Sequence, residues 1–193
     1  MKNIKTRYLR AASLFLMLVL TSISFAKMPA VKDISVAINS LVPELSVTDV
    51  NSVPKTIKQL SGNKGLVLVL FRSADWCSYC IKHLKEINEW NDRINELGYQ
   101  VAGISYDSLE ILKTFSDKNQ LKYPLLHDLN HKTMEDLKVM NDKHKPGDKG
   151  YGIPYPGVMV INNEGRLAYK YFYEGYKKRV IMEKLYLQLK AGL

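Results

Sequence analysis

The sequence predicts an α/β fold in which a parallel-rich sheet is flanked by helices. Apolar runs typical of strands alternate along the chain with apolar residues at helical spacing, and this alternation favours parallel strand pairs. The run Leu66–Phe71 is apolar throughout, as in a central strand that is buried on both faces. Because 193 residues are too few for two ordinary domains, we expect one domain.

Apolar spacing predicts the elements in chain order. Residues 27–64 are broken by prolines and glycines, and Pro43–Val47 resembles a short edge strand. Further on, apolar residues recur at steps of three and four from Ile81 to Leu97, which predicts a long amphipathic helix that stops at Gly98. The pattern then predicts a strand at Tyr99–Ser105, a helix at Ser108–Asn119, an extended segment at Tyr123–Leu126 and helical turns at Lys132–Met140.

A long loop, a hairpin and a helix complete the predicted domain. Lys, Gly, Pro and Tyr dominate Asn141–Pro156, and a loop of this length is a candidate for function. The strands predicted at Gly157–Ile161 and Arg166–Phe172 are joined by turn residues at Asn162–Gly165, which indicates a β-hairpin. Lys177–Lys190 carries apolar residues on one side and predicts a closing helix.

The N-terminal residues have the pattern of a secretory signal peptide. Residues 1–26 contain a basic start, the apolar run Leu14–Leu20 and small residues at Ser24 and Ala26. An uncleaved membrane anchor is the alternative, but the apolar run is shorter than the ~20 residues that a spanning helix needs. We expect cleavage after Ala26, a mature domain at residues 27–193 without stable membrane insertion, and a periplasmic or secreted protein.

The charge of the mature chain does not indicate a nucleic-acid partner. The full chain has a formal charge of +9, and removal of residues 1–26 takes away four Lys/Arg and no Asp/Glu, which leaves +5. The remaining basic residues are scattered at positions typical of solvated helix faces. We therefore expect no dedicated site for a polyanion.

The chain contains two cysteines, Cys77 and Cys80, in one Cys-Ser-Tyr-Cys tetrad. A stabilising disulfide usually closes a long loop, because a longer loop removes more disorder from the unfolded chain. A bridge within a tetrad stabilises very little. We infer that this pair is kept for its reactivity.

The position of the tetrad predicts a role for each cysteine. It lies at the start of the predicted helix, where unpaired N–H groups and the macrodipole favour a negative charge. Cys77 should therefore ionise more readily than Cys80, which lies one turn inside. We predict that Cys77 attacks and that Cys80 resolves the mixed disulfide, with no cofactor beyond the Cys77–Cys80 disulfide itself.

Metal binding is the alternative chemistry for this cysteine spacing. Zinc needs four ligands, but the chain has no further cysteine, and only His83 of its four histidines is near the tetrad. A step of three from Cys80 places His83 beside a thiol and does not complete a site. We expect no metal.

The segment Ala74–Cys80, between an apolar strand and an amphipathic helix, resembles the thioredoxin superfamily. Phe71–Ser73, Leu125–Asp128 and the hairpin Gly157–Tyr171 resemble the redoxin branch that includes alkyl hydroperoxide reductase and thiol-specific antioxidant proteins. The resemblance covers about residues 40–190. It implies a thioredoxin-like three-layer fold with a mixed central sheet flanked by helices.

The resemblance also implies substrate-binding residues. The superfamily carries a cis-proline ahead of the strand that faces the cysteines, and Tyr155-Pro156 matches this position. A cis bond there turns the backbone toward an extended substrate, and Tyr155 would line that groove. Trp76, directly before the first cysteine, is also expected to contact the substrate. The alternative is that Pro154 and Pro156 only stiffen a loop.

Several departures from the family pattern affect the expected chemistry. Phe71 stands where thioredoxins hold a buried aspartate that assists proton transfer to the resolving thiol, so that base is missing. Arg72 is either a cation that supports the thiolate or a surface residue. Ala74 stands where typical peroxiredoxins place threonine or serine, and no arginine lies within Tyr155–Ile161.

Three hypotheses of function remain open at this stage. The first is an exported thiol–disulfide oxidoreductase in cell redox homeostasis that acts on protein or small-molecule disulfides. The second is a thiol-dependent peroxidase in which Cys77 becomes a sulfenic acid and Cys80 closes the disulfide. The third is a non-catalytic binding protein on a thioredoxin scaffold. Either enzyme requires an electron donor, as yet unidentified.

Overall fold

Strands and helices alternate in the computed structural model, which describes residues 33–173 and 175–193. The expected signal peptide at residues 1–26 lies outside these ranges. The elements are β1 at Val47–Asp49, β2 at Pro54–Lys55, α1 at Ile57–Leu60, β3 at Gly65–Leu70, α2 at Ser78–Glu96, β4 at Tyr99–Ser105, α3 at Leu109–Asn119, β5 at Leu125–Asp128, a 3₁₀ turn at Leu129–His131, α4 at Lys132–Asp136, β6 at Gly157–Asn162, β7 at Leu167–Phe172 and α5 at Met182–Ala191.

The strands of the described ranges form one sheet in the order β2-β1-β5-β4-β3-β6-β7. The central strands β3, β4 and β5 are parallel, with Leu68 opposite Ala102 and Ile104 opposite Leu126. β1 and β2 on one side, and β6 and β7 on the other, run antiparallel to their neighbours. The mixed sheet implied by the resemblance is confirmed.

The strand β3 separates two hydrophobic cores. All of its residues are buried, which confirms the expectation of a central strand covered on both faces. Alternate side chains of a strand point to opposite faces. Val67 and Val69 pack with residues of α2, α3 and α5, whereas Leu66 and Leu68 pack with residues of α1, α4 and the segment before β1. Helices on both faces give the expected three layers.

The helix α2 carries the cysteines onto one face of the sheet. Its buried residues include Cys80, Leu84 and Ile87, and their steps of four and three confirm the predicted amphipathic pattern. Cys77 is the N-cap residue, with extended backbone angles of φ −96° and ψ 91°. After α2 the chain turns at Gly98, whose φ of 92° favours glycine.

The edge strand predicted at Pro43–Val47 is wrong in place and in role. β1 lies further along the chain and is enclosed between β2 and β5. The cause is a turn after β1, in which the Asp49 carboxylate accepts hydrogen bonds from the N–H groups of Asn51 and Val53. This turn returns the chain as β2, which forms the edge. Sequence reasoning also missed the short helix α1.

The closing helix begins later than predicted. α5 starts at Met182 rather than at Lys177. The guanidinium of Arg179 donates hydrogen bonds to the carbonyl groups of Tyr176 and Lys178. In a helix these carbonyls would accept from main-chain N–H groups instead. The contacts of Arg179 therefore favour the extended segment that precedes α5.

The other elements are close to the prediction. Asn141–Pro156 is a loop that contains no helix or named strand, and β6 and β7 form the expected hairpin. Within residues 33–173 and 175–193, no helix combines the length and apolar character needed to cross a bilayer.

Candidate active site

The two cysteines lie where the loop after β3 enters α2. Cys77 caps the helix and Cys80 belongs to its first turn. Their sulfur atoms form a disulfide, and the two Cα atoms are 5.2 Å apart. The redox-active disulfide expected from the tetrad is therefore compatible with an undisturbed helix start.

Both cysteines are buried. Cys77 is 4% exposed and Cys80 is 0% exposed. The flanking aromatic side chains remain at the surface, with Trp76 46% and Tyr79 41% exposed. Tyr79 packs edge to face against Tyr176, with ring centroids 5.9 Å apart. Of the two residues, Cys77 is slightly the less buried, and its attacking role stays a prediction.

Two N–H donors point at the sulfur of Cys80. The main-chain N–H of Arg72 lies 3.4 Å from Cys80 Sγ, and Nη2 of Arg179 lies 3.2 Å from the same sulfur. Sequence reasoning missed Arg179, which is separated from Cys80 by 99 positions and stands in a basic run typical of a solvated surface. Donors at this position favour negative charge on Cys80.

The guanidinium of Arg179 is partly buried. Burial, and secondly the charge of Arg72, lower the pKa of Arg179 to about 10. The group stays cationic at neutral pH. Its Nη1 donates to the carbonyl groups of Tyr176 and Lys178 at 2.7 and 2.8 Å. Its Nε is buried and has no hydrogen-bond partner among the described residues.

The side chain of Arg72 is stacked between aromatic rings. Its guanidinium carbon lies 4.7 Å from the ring centroid of Trp76 and 5.0 Å from that of Tyr176, a cation–π arrangement. Burial lowers the pKa of Arg72. Its contact with Cys80 is made by the main chain, so support of a thiolate by the Arg72 side chain stays a prediction.

The histidine of α2 lies in the protein interior. His83 is 3% exposed, and its Nε2 has no hydrogen-bond partner in the described ranges. Burial, and secondly the charge of Arg179, lower the pKa of His83 to about 3, so the imidazole is uncharged at neutral pH. In the part of the chain that the structure describes, no group of three or more His, Cys, Asp or Glu side chains could hold a metal ion.

A buried carboxylate holds the loop that leads to Cys77. Asp107 follows β4, is 4% exposed, and accepts a hydrogen bond from the main-chain N–H of Ala74 at 2.7 Å. Burial raises the pKa of Asp107 although this hydrogen bond opposes the shift. The hydroxyl of Ser73 accepts hydrogen bonds from the N–H groups of Asp75 and Trp76. Sequence reasoning missed Asp107.

A cavity of about 580 Å³ lies beside Trp76. Asp75 and Trp76 form one wall, Tyr106 another, and Lys149, Gly150 and Ile153 of the long loop close the remainder. The Trp76 Nε1–H donates to the Tyr106 hydroxyl at 3.2 Å. The structure therefore places Trp76 next to both Cys77 and a cavity, and the loop singled out by its length contributes lining residues.

The cis-proline expected at Tyr155-Pro156 is wrong. No cis peptide bond occurs in the described ranges, as is usual for X–Pro bonds in folded proteins. Tyr155 is 3% exposed; its N–H donates to the Val139 carbonyl at 2.8 Å, and its hydroxyl donates to Asp142. These contacts hold Tyr155 in the core. A substrate-binding role for Tyr155 and Pro156 stays a prediction and loses the cis bond on which it rested.

The disulfide lies at the start of the helix that follows the first central strand of a mixed sheet. This arrangement defines a redox protein of the thioredoxin superfamily. The sequence profile of the AhpC/TSA family matches residues 38–170. The chain belongs to this family, which is the branch that the sequence resemblance indicated.

Similar proteins include two kinds of thiol enzyme. "Peroxiredoxin Q, chloroplastic" from Sedum lineare is 30% identical over 129 residues, which cover 65% of this chain and 68% of that protein. "Thiol-disulfide oxidoreductase ResA" from Bacillus thuringiensis is 26% identical over 146 residues, which cover 72% of this chain and 75% of that protein. The protein is therefore an oxidoreductase.

Solved structures confirm the fold. The crystal structure of a peroxiredoxin-like protein from Aquifex aeolicus matches with a TM-score of 0.69 and 19% identity, over 82% of this chain and 89% of that chain. The thioredoxin-like α/β architecture expected from the sequence is confirmed.

Proposed function

We propose that the protein is an exported thiol–disulfide oxidoreductase of cell redox homeostasis in which Cys77 attacks and Cys80 resolves. The observation that carries the proposal is the Cys77–Cys80 disulfide in the first turn of α2. Both cysteines are buried, and Cys77, at 4% exposed against 0% for Cys80, is slightly the less buried residue. A helix start favours the thiolate of the residue that caps it.

Reduction of a substrate disulfide takes two exchange steps. The Cys77 thiolate attacks one substrate sulfur, which forms a mixed disulfide and releases the other substrate sulfur as a thiolate. The Cys80 thiolate then attacks Cys77 Sγ, which forms the Cys77–Cys80 bond and releases the second substrate thiolate. Two electrons pass from the protein to the substrate, and the released thiolates take protons from solvent. The reverse sequence oxidises a substrate dithiol.

The surface near the disulfide supports a protein disulfide as the substrate. Trp76, Tyr79 and Tyr176 are between 41% and 49% exposed, and large exposed aromatic side chains are typical of interfaces. The cavity beside Trp76, at about 580 Å³, is also large enough for a small-molecule disulfide. The partners proposed are therefore protein or small-molecule disulfides and an electron donor that remains to be identified.

A thiol-dependent peroxidase is the second candidate, and the family supports it, since relatives such as that from Sedum lineare are named peroxiredoxins. In that reaction peroxide oxidises the Cys77 thiolate to a sulfenic acid, and Cys80 displaces water to form the disulfide. Two observations favour disulfide exchange. Ala74 offers no hydroxyl to a peroxide, and Arg179 contacts the sulfur of Cys80, whereas peroxide activation needs the cation at the attacking sulfur.

Single-turnover reactions of the reduced protein test the proposal. We expect insulin-type disulfides to be reduced, Cys80→Ser to accumulate a mixed disulfide with the substrate, and Cys77→Ser to form none. Ser78→Ala, between the two cysteines, is the matched control and should retain exchange. Rapid consumption of hydrogen peroxide that Cys77→Ser abolishes, without insulin reduction, would favour the peroxidase. If the cysteine pair reacts with neither reductant nor oxidant, the result would instead support a non-catalytic binding protein.

Export is proposed from the pattern of residues 1–26 alone. We expect the protein recovered from a periplasmic or secreted fraction to begin near Lys27. N-terminal sequencing that finds Met1 on the active protein would contradict cleavage.

A further inference from the structure

A partly buried cation lies against the resolving cysteine. Arg179 Nη2 is 3.2 Å from Cys80 Sγ. No ion pair joins Arg179 to a carboxylate within residues 33–173 and 175–193, and its buried Nε has no hydrogen-bond partner there. Partial burial of a cation that has no carboxylate beside it favours negative charge on a group in contact with it. The surroundings of Arg179 therefore favour an anion at the position of the Cys80 sulfur.

We propose that the Arg179 guanidinium is the counter-ion of the Cys80 thiolate, and that it stabilises the reduced dithiol and speeds resolution of the mixed disulfide; this rests on the disulfide exchange proposed above. The Cys80 sulfur is uncharged in the disulfide and becomes negative after reduction or in the mixed disulfide. The attraction to Arg179 therefore acts in those two states. The main-chain N–H of Arg72, 3.4 Å from Cys80 Sγ, supports the same charge.

The contact accounts for the residue found at position 71. A resolving thiol that is protonated needs a base, and Phe71 replaces the buried aspartate that serves this purpose in thioredoxins. A thiol that a neighbouring cation keeps ionised needs no base. Arg179 thus supplies by charge what the missing carboxylate would supply by proton transfer.

The other titratable groups that face this pair do not provide the missing base. On α2 these are Cys77 and His83; His83 is a very weak base because burial and Arg179 lower its pKa to about 3. The loop after β3 contributes the cation Arg72, and β7 contributes the phenol of Tyr171, both of which interact electrostatically with Arg179.

A thiol titration tests the proposal without any enzymatic activity. In Cys77→Ser, Cys80 is the single thiol, and its ionisation is followed by the ultraviolet absorbance of the thiolate. We expect the pKa of Cys80 to lie below the ordinary ~8.5, and to rise by about one unit or more when Arg179→Gln is added. Arg179→Lys, which keeps the charge, should raise it less. A Cys80 pKa that neither variant moves would overturn the proposal.

Arg93→Gln is the matched control. Arg93 also stacks on two aromatic rings, 4.1 Å from the centroid of Trp90 and 4.6 Å from that of Tyr186, but it has no contact with a cysteine among the described residues. Its replacement should leave the Cys80 pKa unchanged. Because this titration needs no substrate, it separates the role of Arg179 from the proposed function as a whole.

Equilibrium with glutathione gives a second readout on the protein with both cysteines. Loss of Arg179 destabilises the dithiol, so Arg179→Gln should shift the equilibrium toward the disulfide by up to about tenfold for each unit of pKa, which lowers the reduction potential by about 30 mV. The shift should be largest at pH values above the pKa of Cys80 in both proteins. An unchanged or higher potential would contradict the counter-ion role.

The pH profiles of the resolution rate should cross when the wild-type protein is compared with Arg179→Gln. Below both pKa values the variant should resolve the mixed disulfide more slowly, by about threefold for each unit of pKa, because the smaller thiolate fraction outweighs its greater nucleophilicity. Above both pKa values the more basic thiolate of the variant attacks faster, so the order reverses. A purely structural role would slow resolution at every pH, and parallel profiles would therefore overturn the proposal.

Discussion

The indole N–H of Trp76 donates a hydrogen bond to the hydroxyl of Tyr106, with 3.2 Å between nitrogen and oxygen. This bond joins the residue before Cys77 to the segment after β4. It fixes one large exposed ring at the mouth of a cavity that the loop Asn141–Pro156 helps to line. Trp76 and Tyr106, which are 30 positions apart in the chain, thereby form one surface.

Replacement of Trp76 should weaken exchange with proteins more than exchange with small molecules. We expect Trp76→Ala to lower kcat/KM for an insulin-type disulfide by about tenfold, because a truncated aromatic anchor removes much of the contact area. Tyr106→Phe, which removes only the hydrogen-bond acceptor, should cost about threefold. Glutathione disulfide should be affected less by both. Equal losses with protein and glutathione would mean that Trp76 acts on the cysteines rather than on docking.

The pH dependence of stability should report the burial of Asp107. Burial raises the pKa of Asp107 above 3.8 in the folded state. Asp107 therefore contributes favourably to the unfolding free energy below pH 3.8, and this contribution is lost as pH rises through the raised pKa. Asp107→Asn should remove this fall while its amide oxygen still accepts from Ala74. Asp107→Ala leaves the Ala74 N–H unpaired and should cost about 1–3 kcal/mol. Urea unfolding from acid to neutral pH measures both effects, and identical pH profiles for wild type and Asp107→Asn would refute the assignment.

His83 should make the protein sensitive to acid. Its pKa is lowered from 6.5 to about 3 in the folded state, so the stability it contributes is complete above 6.5 and is lost as pH falls toward the lower value. We expect His83→Gln to remove this change of the unfolding free energy with pH, which amounts to several kcal/mol in total. His144 lies partly buried in the long loop, and His144→Gln is the matched control for the loss of an imidazole.

The packing of Phe71 on Gly103 can be tested by a double-mutant cycle. A Cβ atom at Gly103 would lie 2.8 Å from Leu125 Cδ2 and 3.1 Å from Phe71 Cε1. Gly103→Ala should therefore cost about 1–3 kcal/mol of unfolding free energy. Adding Phe71→Leu should relieve part of the clash, so the double variant loses less than the sum of the two single losses. Simple additivity would show that Phe71 is not the residue that excludes a side chain at Gly103.

The parts of the fold and site that local spacing encodes could be predicted. Cys77 and Cys80 stand a helical turn apart in the chain, and the apolar period after them fixes the helix α2 on which their geometry depends. The burial of β3 follows from an apolar run without polar interruption. Each of these features needs only neighbours within a few residues.

Contacts between distant segments could not be predicted in the same way. Arg179 reaches Cys80 across 99 positions, and Asp107 reaches Ala74 across 33; each depends on how whole elements pack. The basic run at 177–179 looks like an ordinary solvated surface, and nothing local distinguishes its third member. The cis bond expected at Tyr155-Pro156 was carried over from a family position, whereas the contacts of Tyr155 with Val139 and Asp142 hold it in place here.

The short strand β2 affects how copies of the protein can associate with one another. β2 consists of Pro54 and Lys55 only. Pro54 lacks a main-chain N–H group, and Lys55 carries a charge. A strand of a second molecule could therefore not form a continuous ladder of hydrogen bonds with this edge strand, and sheet edges of this kind resist fibril-like association. On the opposite side of the sheet, Leu167 at the start of β7 already pairs with Asn39 and Ser40, so sheet extension between molecules would have to use the remainder of β7.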